Sequence, residues 1–177
     1  MSRLIVVLAH PNLSESKVNK PLVDCATEVP GVTVHDLYDQ YPDFKIDQEK
    51  EQKLIAGFDV IVLQHPLYWY SCPALLKEWL DKVFVRNFAY GRHGRALEGK
   101  SLVSVVSAGG PEATYTAGGS NEQSVQAFLK AFDVTAKFCG MQYATPLILH
   151  NAYRVSDDEM RRHRRAYSEL LSSHARI

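Results

Sequence analysis

Residues 60–84 read VIVLQHPLYWYSCPALLKEWLDKVF, and a change of period inside this stretch decides the fold. Val60, Ile61, Val62 and Leu63 form a short apolar, β-branched run, as expected for a strand covered on both faces of a parallel sheet. Its shortness and the following Pro66 favour strand over buried helix. From Ser71 onward the period changes: Leu75, Leu76, Trp79, Leu80, Val83 and Phe84 recur at the spacing of one helix face, and Lys77, Glu78, Asp81 and Lys82 fall on the other. Ser71 is the expected N-cap. Pro73 then sits in the first turn, where its missing N–H costs nothing.

Between strand and helix lies QHPLYWY, residues 64–70. Surface loops gain little by exposing aromatic rings, and in an open α/β sheet the loops at the carboxyl ends of strands are where ligands sit. An aromatic loop stiffened by Pro66 therefore suits a flat conjugated ring system. The alternative is that Trp69 and Tyr70 cover the sheet edge or a subunit contact.

Working outward, residues 4–8 (LIVVL) read as the first strand, ending at His10-Pro11. Val18, Leu22, Ala26 and Val29 give a helical stripe, and Pro21 is harmless if Asn19 is the N-cap. Ser16, Lys17, Val18 and Asn19 would then present hydroxyl, amide and unpaired N–H groups at the positive end of a helix, a seat for a phosphate. Residues 32–37 alternate as a second strand nearer the sheet edge, residues 38–45 read as a loop, and Asp47 caps a short helix through Ala56. Residues 86–99, with Gly91, Gly94 and Gly99, have no periodicity and read as a long functional or interface loop. Residues 100–107 form the fourth strand, running into Ala108-Gly109-Gly110, where glycines permit close approach of a ligand to the backbone; a plain turn is the competing reading.

A helix follows with Val125, Phe128, Leu129, Phe132 and Ala136 on one face and Gly140 as its stop. Residues 143–149 are the fifth strand. Ser156-Asp157-Asp158-Glu159 is a capping box that opens the last helix. That helix buries Met160, His163, Tyr167, Leu170, Leu171 and His174 and turns Arg161, Arg162, Arg164 and Arg165 outward, either as a solvated face or as a docking surface. Strands and helices alternate, so the expected architecture is a single doubly wound α/β domain over residues 1–177. The leading arrangement is a flavodoxin-like, five-stranded parallel sheet of order 2-1-3-4-5 with helices on both faces. It brings His10 with residues 16–19, residues 66–70, and residues 107–110 to one crevice.

Composition narrows the partners. The chain of 177 residues has 20 Lys and Arg against 20 Asp and Glu, so it lacks the basic field that drives nucleic-acid binding. The apolar run after Met1 is too short for a signal-peptide core or a membrane span, which makes a cytoplasmic protein the default. Cys25, Cys72 and Cys139 are widely spaced and read as reduced thiols, not as a disulfide framework or metal site. Other uses of the architecture lack their residues. A phospho-accepting receiver needs acidic groups where His10 and Gln64 stand, and neither GxGxxG after strand one nor GxSxG is found.

The combination AHPNLSESKVNK, QHPLYWYSCPALLKEWLDKVF, FAYGRHGRALEGK and SAGG resembles the flavodoxin-like NAD(P)H:quinone oxidoreductase family. VHDLYDQYPDFKID is similar, within that family, to the ancillary subunits of glutathione-regulated potassium-efflux systems. The resemblance implies a homodimer whose FMN takes hydride from NAD(P)H and passes two electrons to a quinone. It also implies a subunit that docks on the cytoplasmic side of an inner-membrane antiporter, as a peripheral protein, and helps to activate it. By the same resemblance His10, Ser16, Lys17, Val18 and Asn19 hold the phosphate and ribityl end. Pro66, Leu67, Tyr68, Trp69 and Tyr70, with Ser107, Ala108, Gly109 and Gly110, hold the ring. Tyr115 matches an active-site tyrosine, and Asn121 stands where larger quinone reductases carry a histidine. Asn can donate a hydrogen bond but is no proton source near neutral pH. The short C-terminal part favours FMN over FAD. A one-electron carrier fits poorly, because such carriers are strongly acidic and this chain is neutral.

Overall fold

The computed structural model describes residues 2–175. Its elements in chain order are β1 (Leu4–Leu8), α1 (Asn19–Thr27), β2 (Val32–Asp36), α2 (Leu37–Gln40), α3 (Gln48–Ala56), β3 (Val60–Pro66), α4 (Ala74–Val83), β4 (Ser101–Ser107), α5 (Val125–Phe128), α6 (Lys130–Phe138), β5 (Gln142–Tyr143), β6 (Leu147–Leu149) and α7 (Asp157–Ala175). The sheet is parallel with order β2-β1-β3-β4-β5, and β6 also pairs with β4.

The central strands β1, β3 and β4 are buried and mostly apolar because both faces are covered, whereas the edge strand β2 (VTVHD) is only partly buried. In β1, Leu4 and Val6 join the core formed with α1 and α7, whereas Ile5 and Val7 join the core formed with α3, α4 and α6. Trp79 of α4 and Tyr167 of α7 are the largest side chains fully buried on the two sides. A fully buried carboxylate, Glu51 of α3, sits among the first group and accepts from Tyr41 Oη (2.7 Å), Trp79 Nε1 (2.7 Å) and His35 Nε2 (2.9 Å). Burial alone would raise its pKa, but the donors from His35, Tyr41 and Trp79 hold it below the usual value.

Several local expectations are corrected. The fifth strand is broken: Leu102 pairs with Tyr143, but Val105 pairs with Leu147, so the edge carries one extra residue between the two segments. Pro146 has no N–H to give to the ladder, which confines it to such a break. Ser71 does not cap α4; Pro73 occupies the N-cap, and its carbonyl accepts from Leu76 and Lys77. Asn19 is the first helical residue of α1, not its cap, and its N–H is taken by Ser16 Oγ at 2.9 Å. Pro21 nevertheless falls in the first turn. Residues 37–40 form a short helix instead of a loop because the Asp36 carboxylate accepts from Tyr38 and Asp39 N–H. The helix expected from Val125 is interrupted at Leu129. The capping box of α7 forms in both directions, with Ser156 N–H on Glu159 Oε2 (2.8 Å) and Glu159 N–H on Ser156 Oγ (3.3 Å). Residues 86–99 hold no helix or strand, although Ala89 and Leu97 are buried and anchor the segment.

Candidate functional site

The order of the sheet places the site. The chain leaves β1 toward β2 on one side and resumes at β3 on the other, so the loops after β1 and β3 diverge and leave a crevice between them. The strand ends are fastened: Ala9 N–H donates to Gln64 O (2.9 Å), Leu67 N–H to Ser107 O (2.8 Å) and Ala108 N–H to Leu149 O (2.8 Å). Above them opens a cleft of about 460 Å³, within the size range of small-molecule sites. His10, residues 16–19, Pro66, Leu67, Tyr68, Ser107 and Gly109 all line it, so the three separated segments meet.

Its floor at α1 is rich in donors. A 3-10 turn, Leu13–Glu15, delivers the chain into Ser16, and among the described residues the N–H groups of Lys17 and Val18 have no internal partner. His10 is half-buried, and its Nδ1 accepts from Asn12 N–H at 3.2 Å, so the ring proton lies on Nε2. Burial lowers its pKa, more than the Asn12 hydrogen bond raises it, and the neutral ring presents Nε2–H to the cleft. Lys17 adds a cation, and Glu15 a carboxylate at the rim. This donor set suits an anion.

The aromatic loop is arranged differently from expectation. Tyr68 and Ser71 exchange backbone hydrogen bonds (3.3 and 2.9 Å) across a two-residue turn in which Trp69 and Tyr70 both have positive φ, 47° and 61°. That is the hairpin geometry usually left to Gly and Asn. Trp69 is 92% exposed and lies outside the cleft lining, and Tyr70 turns away to pack on Phe128, ring centroids 4.9 Å apart. The N–H groups of Leu67 and Tyr68 are committed to Ser107 and Ser71. Those of Trp69, Tyr70, Gly109 and Gly110 have no internal partner among the described residues.

Tyr115 and Asn121 stand on one loop, held by Asn121 N–H on Thr114 O (2.9 Å). Tyr115 lies beside Gly110, and its ring is 5.5 Å from that of His150. Asn121 Oδ1 accepts from Tyr70 Oη at 3.3 Å, so the loop reaches the aromatic hairpin. Neither residue lines the main cleft.

Sequence reasoning missed the contribution of the loop after β6. Asn151 N–H and Ala152 N–H donate to Gly110 O (2.8 Å) and Ala108 O (3.0 Å), and this seats Tyr153 against Gly109. Tyr153 lines the cleft while remaining 79% exposed. The signal was the one used for residues 68–70, an aromatic just beyond a strand's carboxyl end. Gln64 and Tyr167 are buried beneath the floor; Gln64, expected as the first residue of the loop, lies within β3, and Tyr167 was expected only as helix core.

A model of the flavodoxin-like fold matches residues 2–171. The glutathione-regulated potassium-efflux system ancillary protein KefG of Pectobacterium atrosepticum is 46% identical over 171 residues, 97% of this chain and 93% of its own. The crystal structure of general stress protein 14 from Treponema denticola, in complex with FMN, superposes with a TM-score of 0.90 at 42% identity, covering 97% of this chain and 99% of that one. The NADPH-quinone reductase from P. pentosaceus gives 0.87 at 33%, covering 96% and 97%. With the sheet order, the crevice and these matches in agreement, the chain belongs to the flavodoxin-like fold family.

Proposed function

We propose that this single-domain chain is an FMN-dependent NAD(P)H:quinone oxidoreductase that works as a homodimer. The observation that carries the reading is an anion seat in the cleft with free backbone donors at Gly109 in its lining and at Gly110, Trp69 and Tyr70 on the adjoining loops. His10 Nε2–H, the Ser16 hydroxyl and the N–H groups of Lys17 and Val18 fit a phosphate. The N–H groups of Gly109, Gly110, Trp69 and Tyr70 fit the polar edge of a flat ring. The FMN complex of a 42% identical neighbour and the quinone reductase name of another support it.

Bound there, FMN would supply acceptance and release of hydride, the two-electron chemistry that links a nicotinamide to a quinone. The chain's own residues bind, orient and exclude. Two alternating substrates would each need the reacting atom within about 3 to 3.5 Å of the ring, so they would occupy the same space and leave in turn. Tyr115 Oη holds a proton beside Gly110 and is the donor at that face, while Asn121 keeps its amide N–H groups available and its Oδ1 engaged by Tyr70. A second copy covers the exposed apolar side chains Val134 (54% exposed) and Phe138 (68%) on α6, and Trp69 (92%) in the turn after β3.

The kinship with KefG supports a further role as ancillary activator of a potassium-efflux antiporter, with the chain in the cytoplasm and peripheral to the inner membrane. No helix among the described residues is long and apolar enough to cross a membrane. The lack of an imidazole at position 121 favours a second reading, a docking subunit with flavin bound and little turnover. An absorption spectrum with added FMN, followed by NADH or NADPH oxidation with a quinone, tests both. A flavin spectrum with quinone-dependent turnover is expected, a spectrum without turnover leaves the docking reading, and a colourless protein at saturating FMN overturns the proposal.

A further inference from the structure

Beneath the anion seat runs a buried chain of side-chain hydrogen bonds that reaches α7. Tyr167 Oη donates to Gln64 Oε1 at 2.8 Å. Gln64 Nε2 donates to Asn19 O (3.2 Å) and Asn19 Oδ1 (3.4 Å). Asn19 Nδ2 donates to Ser107 Oγ (2.8 Å) and Ser16 Oγ (3.4 Å), and Asn19 N–H also donates to Ser16 Oγ (2.9 Å). Tyr167 and Gln64 are fully buried, and Asn19 and Ser107 nearly so. Neither Tyr167 nor Gln64 lines the cleft.

Every bond in the chain points the same way. The backbone carbonyl of Asn19 is acceptor only, so Gln64 must turn its amide nitrogen toward it and its oxygen toward Tyr167. With Gln64 so fixed, Asn19 Oδ1 faces a donor, and its own NH2 group is turned onto the two serines. Ser16 Oγ then has both lone pairs occupied, and Ser107 Oγ has one. Their hydroxyl hydrogens find no acceptor among the described residues and are left to donate into the cleft. Burial raises the Tyr167 pKa, which keeps the hydroxyl protonated and donating. Serial donation polarises each member in the same sense.

We infer that Gln64 and Tyr167 are positioning residues for the phosphate of the cofactor: they turn the Ser16 and Ser107 hydroxyls into obligate donors and so tie the placement of α7 to occupancy of the seat. This rests on FMN binding in the cleft. By linkage, the coupling is reciprocal: whatever holds α7 in place strengthens the seat, and phosphate in the seat steadies α7.

The test compares FMN with riboflavin, which lacks the phosphate, by fluorescence titration of the flavin-free full-length chain. Tyr167→Phe keeps the ring and its packing while removing the first donor, leaving Gln64 Oε1 unpaired. FMN affinity is expected to fall about tenfold, with riboflavin affinity changed less than about twofold. Hydrogen exchange of α7 amides, slowed by FMN in the unaltered chain, should then respond less. Gln64→Met gives the same selective loss by a second route if the first variant folds poorly. Equal weakening of both flavins, or of neither, would reduce the chain to a structural strut and overturn the inference. If the unaltered chain binds no FMN, the proposed function falls with it; if it binds FMN and the variants bind it equally well, only the positioning role falls.

Discussion

The ring of Tyr153 occupies the space that a side chain at Gly109 would need: a Cβ built there would lie 2.3 Å from Tyr153 Cε2. The loop after β6 is thereby fitted to the glycine pair after β4. Gly109→Ala must push the ring aside, at a cost of about 1 kcal/mol since the ring is largely exposed and can swing. In a Tyr153→Ala background the same change should cost close to nothing. Urea denaturation of the four proteins measures this coupling, and additive effects would show that the two residues do not touch in solution.

Trp69 combines high exposure with positive φ. A large aromatic in that region is strained by about 1–3 kcal/mol, of which glycine's greater unfolded-state entropy gives back part. Trp69→Gly is therefore expected to raise the melting temperature, by up to about 1 kcal/mol in stability, while lowering quinone turnover. A variant that is both less stable and fully active would mean that the strain is not there and the side chain has no role.

The buried Glu51 carboxylate ties β2, the following loop, α3 and α4 through His35, Tyr41 and Trp79. Glu51→Ala strands three donors in the core and should destabilise the fold by about 3–5 kcal/mol. The network joins the core on the α3 and α4 side of the sheet, away from the phosphate seat, so FMN affinity of the folded fraction should be unchanged. Denaturant titration with and without FMN separates the two effects.

How far the sequence could be read depended on whether a signal was local. β1, β3 and α4 were legible because their apolar spacing reflects burial directly, and the crevice followed from topology. The break before Leu147 was less so: Pro146 announces a lost N–H but not the extra residue in the ladder. The residue type of Trp69 leaves it open between a wall for a flat ring and a cover for the sheet edge or a subunit contact, because its direction is set by two consecutive positive φ angles, which no propensity for Trp predicts. Gln64 and Tyr167 lie 103 positions apart and become partners only when α7 packs under β3. Such pairs are invisible to any window along the chain.

His65 is fully buried, its Nδ1 is bonded to Pro66 O at 2.9 Å, and its Nε2 has no partner. Burial lowers its pKa from 6.5 to about 4. The unfolded chain therefore binds a proton near pH 6.5 that the folded chain refuses until about pH 4, so stability is intact above 6.5 and is lost as pH falls through that window. Loss of the order of 3 kcal/mol is expected from this group. His65→Phe should flatten that limb in denaturant titrations at pH 4.5 and pH 7; an unchanged slope would assign the acid sensitivity to His10, His150 or His163, whose pKa values burial also lowers.

Asn121 accepts from Tyr70 through Oδ1 and cannot deliver a proton near neutral pH. Asn121→His in its neutral form keeps an acceptor for Tyr70 on one ring nitrogen and an N–H on the other, and on protonation both nitrogens become donors, giving the loop a proton to deliver and turning Tyr70 Oη into an acceptor. If this loop serves the proton-delivery side of the reaction, quinone turnover should rise about tenfold below the imidazole pKa and fall back to the unaltered rate as pH climbs through roughly 6.5. The affinity for FMN should stay the same, since position 121 lies outside the cleft lining. A pH profile identical to that of the unaltered chain would separate this loop from proton delivery and leave Tyr115 as the donor at that face.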